Sequence, residues 1–313
     1  VSGKGCEPGP ALWNTSYPHS DFAEEVYSTG PELKIVPVKD IIIHEHFDKT
    51  RSPRLARRIE EDGVLKDPPI VARLGEGKYV HLDGANRITV FQEEDLLNCQ
   101  HILVQIVDYF DPESVKVSTW CHLTQQNKDS FLSQLKSKGI EPVPMDCDAA
   151  RALILEREGA LCCLFFRDGD VFGVKGEGDF ESRIKLMNEV VRTYEGRIER
   201  DSLEPERGEW KRQIRGLFKK HDDCNIIIAF PKFTPKQVVQ IATRLAAGEN
   251  VVKIPPGITR HIVLEGRALR INFPLSVLKA EGLSLEAKNE MLKEFLRKKK
   301  PRRYEEPTFM YDE

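Results

Sequence analysis

The sequence predicts an α+β protein of two domains, and three observations carry that reading. Its 313 residues are enough for more than one core, with roughly two domains expected from length. Residues 78–107 run strand, turn, helix, strand, the order of an α+β nucleotide site. Hairpin patterns at 70–82 and 161–174 alternate with helical stripes at 180–194 and 235–247, so both halves mix the two periodicities.

Taken in order, residues 1–30 hold Gly, Pro, Ser, Asn and Tyr without periodicity and read as an N-terminal extension. Residues 33–38 form a strand in which Pro37 demands an edge or an end. Ser52 and Pro53 open a helix running to about Glu61, the serine as N-cap and the proline in the first turn, and Gly63 stops it. Residues 70–74 and 78–82 flank Gly75-Glu76-Gly77 as a hairpin, and 85–94 and 101–107 follow as helix and strand. A helix at 127–138 leads out of the first domain. In the second, a helix at 149–157 precedes a hairpin of 161–166 and 171–174, then a helical stripe at 180–194. A buried strand at 226–230 and a helix opening on Pro235 come next. Strands at 251–254, 261–264 and 268–273 and helices at 276–279 and 285–299 complete the pattern. The expected division is an extension over 1–30, a first domain over 31–140 and a second over 141–313.

Formal net charge is -3, so no global field draws the molecule to DNA or to an anionic membrane. The apolar runs are strand-sized and too short to span a bilayer, and no charged-then-apolar leader opens the chain, so a cytoplasmic protein is expected. Seven cysteines without a Cys-x-x-Cys pair read as reduced thiols, with Cys162 and Cys163 pointing to opposite faces of one strand.

Four places could carry chemistry. The turn Asp83-Gly84-Ala85-Asn86-Arg87 joins a strand to a helix. Its glycine admits a ligand close to the backbone, its amides and helix dipole favour an anion, and Arg87 adds a fork of donors suited to phosphate. Asp83 could hold Mg²⁺, or it could be no more than a cap. Glu45 follows the apolar run 41–43, so it emerges at a strand end beside His44 and could accept a hydroxyl proton or be a solvated loop acid. Arg51 and Arg54 could bind phosphate or form a solvated face. Trp120 offers a flat wall and His122 a hydrogen-bonding ring, unless both belong to a core. Pro255-Pro256-Gly257 makes a rigid turn that presents Thr259, Arg260 and His261 together, suited to a carboxylate or phosphate or to a purely structural turn.

In order and spacing these blocks resemble the free L-serine kinases of the ParB/sulfiredoxin superfamily, in particular the siderophore-cluster type that makes O-phospho-L-serine. The matching blocks are 33–38, Ile43-His44-Glu45, Arg51 with Arg58-Ile59-Glu60, Leu82-Asp83-Gly84 with Arg87, Ser118-Thr119-Trp120 with His122, and Ile254 to Arg260 ahead of 275–279. The resemblance runs from about residue 33 to the C-terminus and is loose over 125–250. It implies a ParB/sulfiredoxin-like nucleotide domain and a second α+β domain that closes the cleft. It further implies ATP or ADP as donor, Mg²⁺ as cofactor, and Glu45 as the base acting on the serine hydroxyl. Asp83 is the implied metal or phosphate-side acid, with Arg51, Gly84, Ala85, Asn86 and Arg87 around the phosphates. His44, Trp120, His122, Thr259, Arg260 and His261 are implied near the serine. Where the family commonly has histidine before the arginine of the phosphate turn, this chain has Asn86, which hydrogen-bonds but carries no charge.

Two sister activities fit less well. Sulfiredoxins use a reactive cysteine in the corresponding turn, and residues 83–87 contain none. A ParB-like nucleotide- and DNA-binding regulator is the alternative. The segment after the first domain reads as hairpins and an amphipathic helix rather than a helix-turn-helix, and the basic run 297–303 reads as a solvated tail. No specific nucleic acid and no membrane are expected as partners, and the pattern says nothing of oligomeric state.

Overall fold

Short strands, several of them buried on both faces, build two main sheets, and the computed structural model describes them over residues 30–46, 52–93, 95–194 and 198–303. The first third of the chain supplies β1 (Glu32–Pro37), β2 (Ile41–Ile42), β3 (Val64–Leu65), β4 (Ile70–Gly75), β5 (Lys78–Asp83) and β6 (His101–Val107). All but β3 form one sheet in the order β1-β6-β4-β5-β2. Pro37 ends the edge strand β1, where its missing N–H leaves no ladder bond unmade.

The rest of the chain supplies β7 (Val115–Thr124), β8 (Pro142–Pro144), β9 (Ala160–Phe166), β10 (Val171–Lys175), β11 (Glu199–Ser202), β12 (Ile226–Ala229) and β13 (Thr259–Val263). These make a seven-stranded sheet along the path β11-β7-β12-β9-β10-β8, with β13 also paired to β7. A short β14 (Phe273–Pro274) returns to pair with β3.

The sheets divide the chain differently from the expected split at residue 140. β7 lies inside the stretch assigned to the first domain, yet all its partners, β11, β12 and β13, belong to the second sheet. Residues near the C-terminus, assigned to the second, come back to the first. Asn289 bonds both the N–H and the carbonyl of Ile35 in β1, at 3.0 and 2.9 Å, and Leu292 is buried with Ile35 and Val104. The last helix, Leu285–Arg297, therefore covers the first sheet. Two expected strands are also absent. Arg270 and Asn272 have φ of 55° and 54°, incompatible with an extended run, so only Phe273–Pro274 pairs in that region. Around 251–254 only Ile254 makes a bridge, to Glu45.

Three apolar clusters stack the layers. One face of the first sheet packs Val71, Val104 and Ile106 against helices Ser52–Asp62, Ala85–Gln92 and Leu285–Arg297. Its other face, with Ala72, Val80 and Leu82, shares a core with Leu164, Ile226 and Ile228 of the second sheet and with Val238 and Ile241 of helix Pro235–Ala246. The far face of the second sheet carries Cys163, Phe165 and Ile227 under helices Cys147–Glu156 and Trp210–Lys220. Because β9 and β12 are covered on both faces, they read as continuous apolar runs, and Cys162 and Cys163 do fall on opposite faces. The six cysteines among the described residues are free thiols. No helix among the described residues is long and apolar enough to cross a membrane.

Candidate active site

The two sheets leave a cleft of about 600 Å³ between them, and each contributes one wall. The first wall is the turn from β5 into helix Ala85–Gln92. Gly84 has φ of 91°, a conformation that costs any residue with a Cβ, and a Cβ there would also crowd the Arg87 guanidinium. The amide of Ile88 donates to the Gly84 carbonyl at 3.0 Å, so the amides of Ala85, Asn86 and Arg87 precede the helical ladder and have no intrahelical acceptor. Arg87 folds back to bond Asp83 Oδ2 at 2.9 Å, and the Asp67 carbonyl accepts from its other amino group. Arg267 bonds the same oxygen of Asp83. Burial would raise the Asp83 carboxyl, but the guanidinium groups of Arg87 and then Arg267 outweigh it and hold the group below the usual carboxylate range.

The second wall is the turn before β13. Gly257 has φ of 67° and lies against the guanidinium of Arg200, which a Cβ at that position would overlap. Thr259 donates its hydroxyl proton to Glu45. The Arg260 guanidinium lies 4.2 Å from the centre of the Trp120 ring, a cation–π geometry, and donates to the Ser202 hydroxyl.

Glu45 sits where the walls meet. Its backbone bridges Ile254, with His46 N–H donating to the Ile254 carbonyl at 2.9 Å and Ile254 N–H to the His44 carbonyl at 3.0 Å. Its side chain is 15% exposed, reachable from the cleft, with His81 Nε2 at 3.8 Å from Oε1.

Behind this surface lies a group of buried histidines. His261 Nδ1 is 2.8 Å from the Leu82 carbonyl, which can only accept, so Nδ1 carries the proton and Nε2 accepts from the Tyr109 hydroxyl at 2.8 Å. By the same reasoning His122 Nε2 donates to the Gly257 carbonyl at 3.0 Å and Nδ1 accepts from Tyr194. Burial drives both rings neutral, His261 down to about 4 and His122 to about 3. His44 is pushed well below its ordinary value by burial and then by His81, against whose ring it lies with centroids 4.5 Å apart.

The cleft thus gathers Glu45, Asp83, Gly84, Ala85, Asn86 and Arg87 with Trp120, Thr259, Arg260 and His261. His44 and His122, expected beside the serine, are fully buried and do not line it. His122 instead holds the Gly257 turn from behind. Arg51 lies outside the described residues. Sequence reasoning missed Arg200 and Arg267, both on the cleft. Arg200 sits among charged neighbours in Glu199-Arg200-Asp201, and Arg267 meets Asp83 across 184 residues, so neither carried a local signal.

Four arginines against two carboxylates leave the cleft positively charged in a chain whose formal net charge is -3. Such a cleft suits an anion with several phosphates. No group of three or more His, Cys, Asp or Glu among the described residues could hold a metal by itself. The carboxylates of Asp83 and Glu45 are nevertheless the hard oxygen donors that Mg²⁺ takes alongside nucleotide phosphates.

No family model matches the chain. It is 23% identical over 259 residues to the ATP-dependent L-serine kinase SbnI of Staphylococcus aureus, a match covering 80% of this chain and 85% of that protein. Among solved structures it superposes on C-terminally truncated SbnI from the same organism with a TM-score of 0.65 and 21% identity, over 88% of this chain and 98% of that one. It superposes on a free serine kinase in complex with AMP with a TM-score of 0.62 and 20% identity, over 79% of this chain and 94% of that one. The α+β expectation is met, and the chain has the fold of the free serine kinase structures and is related in sequence to SbnI.

Proposed function

We propose that this protein phosphorylates free L-serine with ATP as donor, giving O-phospho-L-serine and ADP. The observation that carries the reading is the meeting, in one positively charged cleft, of a hydrogen-bonded carboxylate, Glu45, with a glycine-opened helix N-terminus bearing Arg87. Kinship to an ATP-dependent L-serine kinase supports it, as does likeness to free serine kinase structures holding AMP or ADP. Some of those structures are variants in which a glutamate has been replaced.

In this reading Glu45 takes the serine hydroxyl proton as the hydroxyl oxygen attacks the γ-phosphorus. The bond from that phosphorus to the β-phosphate oxygen breaks, and its electron pair leaves with ADP. Thr259 orients the Glu45 carboxylate through its hydrogen bond. The amides of 85–87 with Arg87 and Arg267 bind the phosphate chain. Asp83 holds Arg87 and Arg267 in place and, with the phosphates, would hold Mg²⁺, which supplies neutralisation of the charge on the transferring group. Trp120, Thr259, Arg260 and His261 shape the serine side, and His44 and His122 act one layer back, as positioning residues. The DNA-binding alternative is less well supported, because the chain after β6 builds an antiparallel sheet wrapped by helices rather than a separate helical module.

Incubating the purified protein with L-serine, Mg²⁺ and ATP should yield phosphoserine by mass spectrometry, with ADP tested in parallel as donor. A folded protein that makes none with either nucleotide overturns the reading.

A further inference from the structure

We infer that His81 on β5 positions the base, donating from Nε2 to Oε1 of Glu45 so that one donor from each wall fixes the carboxylate. The inference rests on the kinase reading above and deepens it. Thr259 of β13 already donates to Oε2. His81 Nε2 stands 3.8 Å from the other oxygen. β2 runs parallel to β5, with Ile41 beside Tyr79 and Ile42 beside Val80, so the chain leaving β2 carries Glu45 toward the end of β5 that bears His81 and Asp83.

The surroundings of His81 differ from those of two other buried rings. Burying an imidazole costs free energy unless its nitrogens are paired, and His122 and His261 each have partners on both. His81 is 1% exposed, yet its Nδ1 has no hydrogen-bond partner among the described residues. The His44 ring lies against it with centroids 4.5 Å apart, which restrains the ring without pairing that nitrogen. Packing alone would be met by an apolar side chain. The group that accounts for a histidine at 81 is the carboxylate in front of Nε2. A carboxylate only accepts, so the proton of the neutral ring belongs on Nε2.

At 3.8 Å the two atoms are neighbours just beyond hydrogen-bond length. Catalytic hydrogen bonds often stand long without substrate and tighten around it. The fold supplies the means. His81 stands on the first sheet, whereas Glu45 is tied through its backbone to Ile254 and through its side chain to Thr259, on the side of the second wall. Drawing the walls together over a bound serine therefore brings Oε1 onto Nε2. A carboxylate held at both oxygens keeps one orientation, with its remaining lone pairs turned to the cleft where the serine hydroxyl arrives.

The test is phosphoserine formation by wild type, His81→Leu, His81→Gln, His81→Asn, Glu45→Gln and the double variant His81→Leu/Glu45→Gln, with nucleotide affinity followed by calorimetry. His81→Leu should lower kcat by about tenfold to a hundredfold, the worth of a hydrogen bond to a charged group, with KM for serine and nucleotide affinity little changed. His81→Gln places an amide nitrogen where Nε2 lies and should restore most of the rate. His81→Asn reaches only the Nδ1 position and should not. On the Glu45→Gln background His81→Leu should cost little more, because the carboxylate through which it acts is gone. If His81→Leu does not fold, the contrast between His81→Gln and His81→Asn decides. An unchanged kcat in folded His81→Leu, equal rates in His81→Gln and His81→Asn, or the full loss repeated on the Glu45→Gln background overturns the assignment and leaves the kinase reading standing. A folded wild type that makes no phosphoserine overturns the kinase reading and the assignment with it.

Discussion

Arg87 and Arg267 on one wall of the cleft and Arg260 on the other are held by opposite means. On the first, Arg87 and Arg267 grip one carboxylate oxygen of Asp83, an ion-pair cluster that fixes their direction and cancels part of their charge. On the second, Arg260 rests on the Trp120 ring and the Ser202 hydroxyl, neutral partners that orient it and leave its charge intact. A carboxylate-clamped pair beside free helix amides matches a long, highly charged phosphate chain that brings its own cation. An arginine held by neutral groups matches a small anion that arrives alone.

The sharpest way to break this comparison is at the point the walls share. Glu45 belongs to neither anion site, so Glu45→Gln should leave binding of both ligands nearly intact while cutting turnover by roughly 10²-fold or more. The variant keeps the acceptor oxygen that Thr259 uses. Near-normal turnover with normal ligand affinities would move the base elsewhere and reduce Glu45 to a brace between the sheets.

A smaller effect should separate the walls from each other. Arg87→Ala removes one of the clamps on Asp83 and, on the proposed function, a phosphate donor, so nucleotide affinity should fall by about tenfold to a hundredfold. Serine affinity should hold, because Arg200 and Arg260 belong to the other wall. Calorimetry of each ligand separately gives the answer. Equal losses for serine and nucleotide would mean that the cleft works as one undivided basic surface.

The same contrast explains what the sequence made legible. The first wall is local: Asp83, Gly84 and Arg87 fall within five residues on a strand-to-helix turn, where backbone chemistry favours an anion, and only Arg267 comes from afar. The second wall is assembled from three separate strands, and β11, with the sequence Glu199-Arg200-Asp201-Ser202, has no apolar alternation to mark it. β7 did carry the β-branched residues Val115, Val117, Thr119 and Thr124, but the Trp120 and His122 between them read as a functional cluster rather than as a strand. Helix Trp210–Lys220 went unassigned although Trp210, Ile214 and Leu217 have helical spacing. His44 and His122 show the opposite failing. A histidine near a candidate site reads from sequence as a ligand contact, and only the fold reveals a buried ring with structural partners.

The last of these effects concerns acid and stability rather than affinity, and it too should divide the walls. His122 and His261 support the second wall, and burial lowers their folded values to about 3 and about 4 from an ordinary 6.5. Below pH 6.5 the unfolded chain therefore takes up protons that the folded state excludes. Stability falls as pH falls, by up to about 1.4 kcal/mol per pH unit for each histidine, until the folded rings themselves titrate. His44, lowered by burial in the same direction, adds to the slope. Asp83 on the first wall acts later. Its folded value lies below 3.8, so its stabilisation is complete above that pH and is lost only in stronger acid. Between pH 6.5 and 5 the acid sensitivity should then come from the buried histidines and not from the clamp on the first wall. Urea midpoints across that window should decline in wild type and decline less steeply in His122→Leu. That variant also starts from lower stability at pH 7, since the Gly257 carbonyl loses its donor. The slope is the reading that matters, because lost packing lowers every point alike whereas a lost proton changes only the dependence on pH. Parallel slopes in the two proteins would mean that His122 does not titrate on unfolding, and the acid sensitivity would then have to come from elsewhere.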